Sequence, residues 1–136
     1  MGRTILGILA GLVVAWLAMT ICEFASLFLH RPPAGLDLRD PQALAAHIAA
    51  APLSAMLVVV IGWVLAAFVG GWVAARIARH RLVAALVIGV LVLAGVIANN
   101  TMIPHPLWMT IAGIALPLPL AWLAARLVRP RGVAKL

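Results

Sequence analysis

The fold class this sequence predicts is all-α: an integral membrane four-helix bundle with a short amphipathic helix on its outer surface. Three observations carry that reading. Of 136 residues, 66% are hydrophobic and 10% charged, whereas a soluble domain carries roughly a quarter charged residues. The mean hydropathy of +1.20 says the same, since such a composition cannot coat a water-facing surface. The apolar residues also fall into four runs near the length of roughly 20 residues that an apolar helix needs to cross hydrocarbon. Period-two alternation is absent from the runs, which removes a β-barrel. Backbone groups in lipid must be bonded within their own segment, so the runs are helices.

The first span is expected at 4–29. Its apolar stretch far exceeds the roughly 7–15 residues of a signal-peptide core, and bulky Ile21 precedes Cys22 where a lipoprotein signal has a small residue. The segment is therefore read as a retained anchor. The second span, 52–75, opens on Pro52, a residue suited to a first helical turn. The third, 82–98, is shorter, near the lower limit, and is expected to extend into Asn99 and Asn100. The fourth, 107–128, contains Pro117 and Pro119, which should kink it. These spans make one membrane domain over 1–136 and leave no room for a separate soluble module.

The connections have their own order. His30-Arg31-Pro32-Pro33 ends the first span, because a residue that precedes proline is pushed out of the helical region. Asp40-Pro41 reads as an N-cap followed by proline at the first helical position. It starts a short helix at 41–50 whose apolar side is Leu44, Ile48 and alanines, lying on the outer surface or capping the bundle. A faint repeat relates Leu29-His30-Arg31-Pro32 to Ile103-Pro104-His105-Pro106, as if each pair of spans were one hairpin of a duplication.

Charge gives the orientation. Of the ten Lys and Arg, Arg3, Arg76, Arg79, Arg81, Arg126, Arg129, Arg131 and Lys135 fall on one side, and only Arg31 and Arg39 on the other. The positive-inside rule then places both termini and the Arg76–Arg81 turn in the cytoplasm of a bacterial-type inner membrane. The net charge of +7 is thus a topology signal and a contact with anionic lipid, with no nucleic-acid partner implied. Membrane lipids, a second copy or another membrane protein are the expected partners.

Glu23 is the one acidic residue inside a span, where an ionisable group is costly. Helical spacing groups Thr20, Glu23, Ser26 or Leu27, and His30 on one side of the first helix. Two roles suit Glu23. It is a proton- or cation-binding carboxylate at the end of a ligand pocket, or it makes a structural bond to Asn99, Asn100, Thr101 or Arg31. His30 and His105, both at helix ends beside prolines, approach Glu23 if the first and third spans are neighbours. Met102, His105 and Met109 raise a copper reading, but Pro104 breaks the helix that would align them, so no metal site is assigned. His47 and His80 are expected to be solvated.

The second span carries Gly62, Ala66, Gly70 and Ala74 at four-residue spacing, with Gly71 beside them. The third offers Ala85 and Gly89, and the fourth Ala121 and Ala125. Small residues at this spacing allow close backbone approach, within the chain or in a homodimer. Trp63 lies mid-span, while Trp72 and Trp108 fall nearer the interfaces. Cys22, the single cysteine, is read as a small core residue. No Ser–His–Asp set, paired carboxylates, phosphate loop or HExxH is present, so neither catalysis nor a cofactor is expected.

The stretches Pro32-Pro33-Ala34-Gly35-Leu36-Asp37, Gly62-Trp63 with Ala67-Phe68-Val69-Gly70-Gly71, and Met102-Ile103-Pro104-His105-Pro106 resemble small four-span bacterial inner-membrane proteins. That resemblance covers nearly the whole chain and implies the architecture alone. The chain is also similar in size to small multidrug-resistance exporters, which have a glutamate in their first helix. It departs from them in its late glutamate, its long first outer loop and its third helix. The leading expectation is a non-enzymatic accessory or assembly subunit acting through helix–helix association. The alternatives are a small homo-oligomeric transporter or channel using Glu23, and an intramembrane enzyme acting on a lipid or quinone near His30 and His105.

Overall fold

A computed structural model describes residues 1–129. Arg131 and Lys135, counted above for orientation, lie outside the described residues. All regular structure among the described residues is helical, in the order α1 (Gly2–Leu29), α2 (Pro41–Ala49), α3 (Leu53–Ile77), α4 (Arg81–Met102), α5 (Leu107–Ala115) and α6 (Pro117–Leu127). Four units are long and apolar enough to cross a membrane: α1, α3, α4 and the pair α5–α6. The molecule is an integral membrane four-helix bundle.

The helix ends follow local chemistry. α1 stops at Leu29, before the Arg31-Pro32-Pro33 run. The following turn places Gly35 at φ 86 and bonds the Leu36 N–H to the Pro33 carbonyl at 3.2 Å, an arrangement that needs glycine at its third position. Asp40 caps α2, its carboxylate accepting from the Gln42 N–H at 2.9 Å, with Pro41 in the first turn. α4 runs further than the pattern predicts, to Met102. There Asn100 Nδ2 donates to the Val96 carbonyl (2.8 Å) and Thr101 Oγ1 to the Ala98 carbonyl (2.7 Å), so their side chains bond back onto the helix instead of ending it. Of the two prolines in the last span only Pro117 interrupts it, at Leu116. Pro119 falls in the first turn of α6, where its missing N–H removes no helical bond.

α3 is the central helix. It touches α1, α4, α5 and α6, whereas α1 reaches only α3 and α4. The α1–α3 contact is the most extensive and is antiparallel. A Cβ built on Gly11 would lie 2.5 Å from the Gly70 carbonyl and 2.7 Å from Ala74 Cβ; one on Gly70 would lie 2.7 Å from Ala15 Cβ. Further along, a Cβ on Gly7 would meet the Ala74 carbonyl at 2.7 Å, and one on Gly62 would meet Cys22 Cβ at the same distance. The stripe Gly7, Gly11, Ala15 on α1 thus seats against Gly70 and Ala74 on α3 and Ala78 just past its end, while Gly62 seats against Cys22. The α1 half of this pairing, Gly7, Gly11 and Ala15, has the same four-residue spacing as the α3 half, a signal already present in the sequence.

The neighbouring face of α3 serves the other side of the bundle. Gly71 faces Ala121 and Ala85, and Gly89 faces Ala121 and the Pro117 carbonyl, so α3, α4 and α6 meet through small residues. Between these seams Trp63 (2% exposed), Ile88 (0%), Val96 and Met109 fill the core. Trp63 reaches over Gly113, where an added Cβ would sit 2.8 Å from the indole ring.

Gly11→Val should destabilise the bundle by about 1–3 kcal/mol through overpacking, seen as a lower thermal midpoint in detergent. Gly95→Ala, where nothing lies within 4 Å of the new Cβ, should leave the midpoint unchanged or raise it. A Gly11→Val protein as stable as the parent would contradict the close α1–α3 packing.

Candidate functional site

The four spans have two chemically different ends. Arg3, Arg76, Arg79, Arg81, Arg126 and Arg129 gather at one, the arginine end. The other, the histidine end, has a cleft of about 480 Å³ between the ends of α1, α3 and α4, with α2 at its rim. Glu23, Ser26, His30, His47, Asn99 and His105 supply its polar lining, over an apolar floor that includes Met56, Val59 and Met109.

Each polar group arrives from a different segment. Glu23 lies on the last two turns of α1. His30 is the residue that closes α1. Ser26 fixes the level of this end by donating from Oγ to the Ala55 carbonyl at 3.0 Å, across α1 and α3. Asn99 comes from α4, which touches α1, so the first and third spans are indeed neighbours. His105 comes from the α4–α5 connection. Its Nδ1 donates to the Ile103 carbonyl at 2.7 Å, which leaves Nε2 as the nitrogen with a lone pair, and its ring stands edge-on to Trp63 with centroids 5.8 Å apart.

His47 is not solvated as expected. Its ring stacks on His30 at 4.2 Å with an interplanar angle of 14°, and His30 Nε2 donates to the His47 carbonyl at 2.9 Å. This pair is what ties α2 down, since no Cα of α2 approaches another helix within 8 Å. The sequence signal was indirect: the Asp40 cap sets where α2 starts, and that register carries His47 to the last turn.

Two residues of the expected set stand apart. Thr20, a turn further from the end than Glu23, is outside the cleft lining. Asn100 turns to the far side of α4, where its Oδ1 accepts from Thr110 Oγ1 at 2.8 Å and joins α4 to α5. Adjacent residues on a helix point 100° apart, so Asn99 and Asn100 cannot serve the same face. The ridge residues Gly62, Ala66, Gly70, Gly71 and Ala74 are buried within the chain. Cys22 is a free, partly exposed cysteine against Gly62. His80 is exposed.

Glu23 makes no hydrogen bond or ion pair with another described residue. Of its expected partners, Asn100 and Thr101 bond back to their own helix and Arg31 lies over the Phe28 ring at 5.7 Å, while Asn99 shares the cleft without bonding to it. Among the described residues no three His, Cys, Asp or Glu side chains converge as a metal site, so Glu23 and the histidines share one cleft without closing on one point. The arrangement offers a carboxylate acceptor, an amide and a basic imidazole nitrogen around an apolar floor. That chemistry suits a cationic or proton-donating group on an apolar body.

Compared with known proteins, the chain matches no family model, no curated protein and no solved structure.

Two imidazoles at this end are held towards neutrality. Partial burial lowers the His47 pKa below its ordinary 6.5, and the nearby His30 adds to that. Burial also lowers His105, against an opposing pull from the Ile103 carbonyl. A histidine with a depressed native pKa contributes its full stability above 6.5 and loses it as pH falls through the lowered value. Amides of Pro41–Ala49 should therefore be protected from hydrogen exchange at pH 7.5, and lose protection as the pH falls below about 6.5. His30→Ala should abolish that protection at both pH values; a pH-independent, protected α2 in the variant would remove the histidine tie.

Proposed function

We propose that this chain is a non-enzymatic bacterial inner-membrane protein, with both termini in the cytoplasm, that acts as an accessory or assembly subunit by associating with another membrane protein. One observation supports this above the others. Glu23 sits within a membrane span, exposed and with no bond to a described residue. Hydrocarbon supplies nothing to satisfy a carboxylate, so the group that meets it comes from outside the chain. The surface beside Glu23 on α1 is apolar and exposed at Leu27 and Trp16, four residues after it and seven before it on the same side of the helix, as a partner helix requires. The small-residue ridges are consumed within the chain, so association uses this outer face of α1. The orientation rests on the six described arginines at one end against Arg31 and Arg39 at the other.

The cleft favours a second reading, a small homo-oligomeric transporter or channel with Glu23 as the coupling carboxylate. Glu23, His30, Asn99 and His105 line one opening, as a binding site for a cation or proton needs. A single chain has its middle closed by Trp63, Ala66, Ala67 and Ile88, so a pathway in this reading forms between copies. The resemblance to small four-span bacterial membrane proteins agrees with either reading.

Native mass spectrometry of the protein extracted gently from its own membrane distinguishes them. The accessory reading expects a reproducible heteromeric mass that Glu23→Gln reduces while the monomer remains folded. A homo-oligomer with no other protein would favour transport, in which case Glu23→Gln should abolish pH-dependent flux in vesicles. A monomer alone, with no flux, would overturn both. Reporter fusions at the two termini should score as cytoplasmic, and an external signal from either would overturn the orientation.

A further inference from the structure

We propose that the arginine end carries a discrete binding site for a lipid headgroup bearing two phosphates. A cleft of about 760 Å³ opens there, and Arg3, Arg76, Arg79, Arg81 and Arg129 line it. These arginines are far apart in sequence. They come from the start of α1, the end of α3, the α3–α4 turn, the start of α4 and the residues after α6, so the bundle itself assembles them. The remaining lining is Ala78 and Val128, neither of which brings a side-chain acceptor.

Charge balance makes the occupant an anion. The sequence has three side-chain carboxylates in all, namely Glu23, Asp37 and Asp40. Glu23 and its neighbours belong to the histidine end, and no described carboxylate lines this cleft. Leaving Arg76 aside, the guanidinium groups of Arg3, Arg79, Arg81 and Arg129 around one opening repel each other unless an anion neutralises them. The site is also partly preorganised. Arg81 is half-buried and held by donation from Nη1 to the Val128 carbonyl at 2.8 Å, an acceptor left over at the end of α6. Arg76 lies over the Trp72 ring, 5.1 Å from its centroid. Guanidinium donors match phosphate oxygens in pairs. An adjoining groove shares Arg79 and Arg81 and runs over Leu82 and Val83, in the first turn of α4. That helix has no side-chain cap, so its first N–H groups add to the pull on an anion.

The phosphate chemistry alone would also suit a soluble diphosphate; the surroundings select the lipid. Exposed Leu82 and Val83 line the adjoining groove as apolar surface for acyl chains. Trp122, with Arg126 stacked 4.9 Å from its ring centroid, marks the interface level beside it. One headgroup with two phosphates spans the spread of arginines better than two separate singly charged lipids, which would have to share the opening.

The test uses the full chain in phosphatidylcholine vesicles doped with either cardiolipin or phosphatidylglycerol at matched total charge, followed by native mass spectrometry of the lipid retained. Expected is one cardiolipin per chain, kept in preference to phosphatidylglycerol. Arg79 and Arg129 make no bond to a described residue, so Arg79→Gln/Arg129→Gln should leave the fold intact and lower retention about 30-fold. Arg31→Gln/Arg39→Gln, at the other end, should not change it. Equal retention of the two lipids, or an unaffected Arg79→Gln/Arg129→Gln protein, would reduce the cleft to diffuse surface attraction and overturn the site. Displacement of cardiolipin by inorganic pyrophosphate would overturn the lipid assignment in favour of a soluble diphosphate.

Discussion

The bundle depends on how closely the backbones of α1 and α3 approach. In lipid no hydrophobic force draws one apolar helix to another, because the surrounding chains are equally apolar. What remains is dispersion at contact, and it grows as side chains between the backbones shrink. Gly7, Gly11 and Ala15 remove that obstacle on α1, and Gly62, Gly70 and Ala74 remove it on α3. The resulting seam sets the antiparallel register. Register in turn puts Ser26 level with Ala55 and holds the end of α1 beside the end of α4. Glu23, His30 and the α3 residues of the histidine-end cleft take their level from that seam, and α4 and its connection to α5 bring Asn99 and His105 to it.

Polarity is sorted along the membrane normal. Among the described residues no polar or charged side chain is buried in the core, which is alanine, valine, isoleucine, methionine and one tryptophan. The middle is therefore closed and chemically inert, and recognition chemistry is confined to the two ends. The ends differ in kind. At one, imidazoles, an amide and a carboxylate form a weakly charged cleft, with burial holding His47 and His105 towards neutrality. At the other, arginines face one another with no side-chain carboxylate among them. Tryptophan and arginine one helical turn apart, Trp72 with Arg76 and Trp122 with Arg126, mark that second boundary.

Much of this was legible because it is local. An apolar run, a proline or a capping aspartate acts on its own few residues, and so the spans, the short α2 and the break at Pro117 follow from reading along the chain. Errors were also local: α4 continues to Met102 because Asn100 and Thr101 bond back to their own helix, a choice that a polar tail does not announce. Glu23 and His105 could be singled out, since ionisable groups inside or beside an apolar run are costly and few.

The amino-acid sequence by itself determined four helices of spanning length and the segregation of arginines to one end of them, because each follows from the chemistry of single segments. Only the tertiary structure decided which of two adjacent residues serves which neighbour. Gly70 meets α1 whereas Gly71 meets α6; Asn99 faces the cleft whereas Asn100 binds Thr110; His47 leaves solvent to stack on His30. Each outcome turns on 100° of helix rotation and on contacts between distant segments, and those are set by packing among helices rather than by any helix alone.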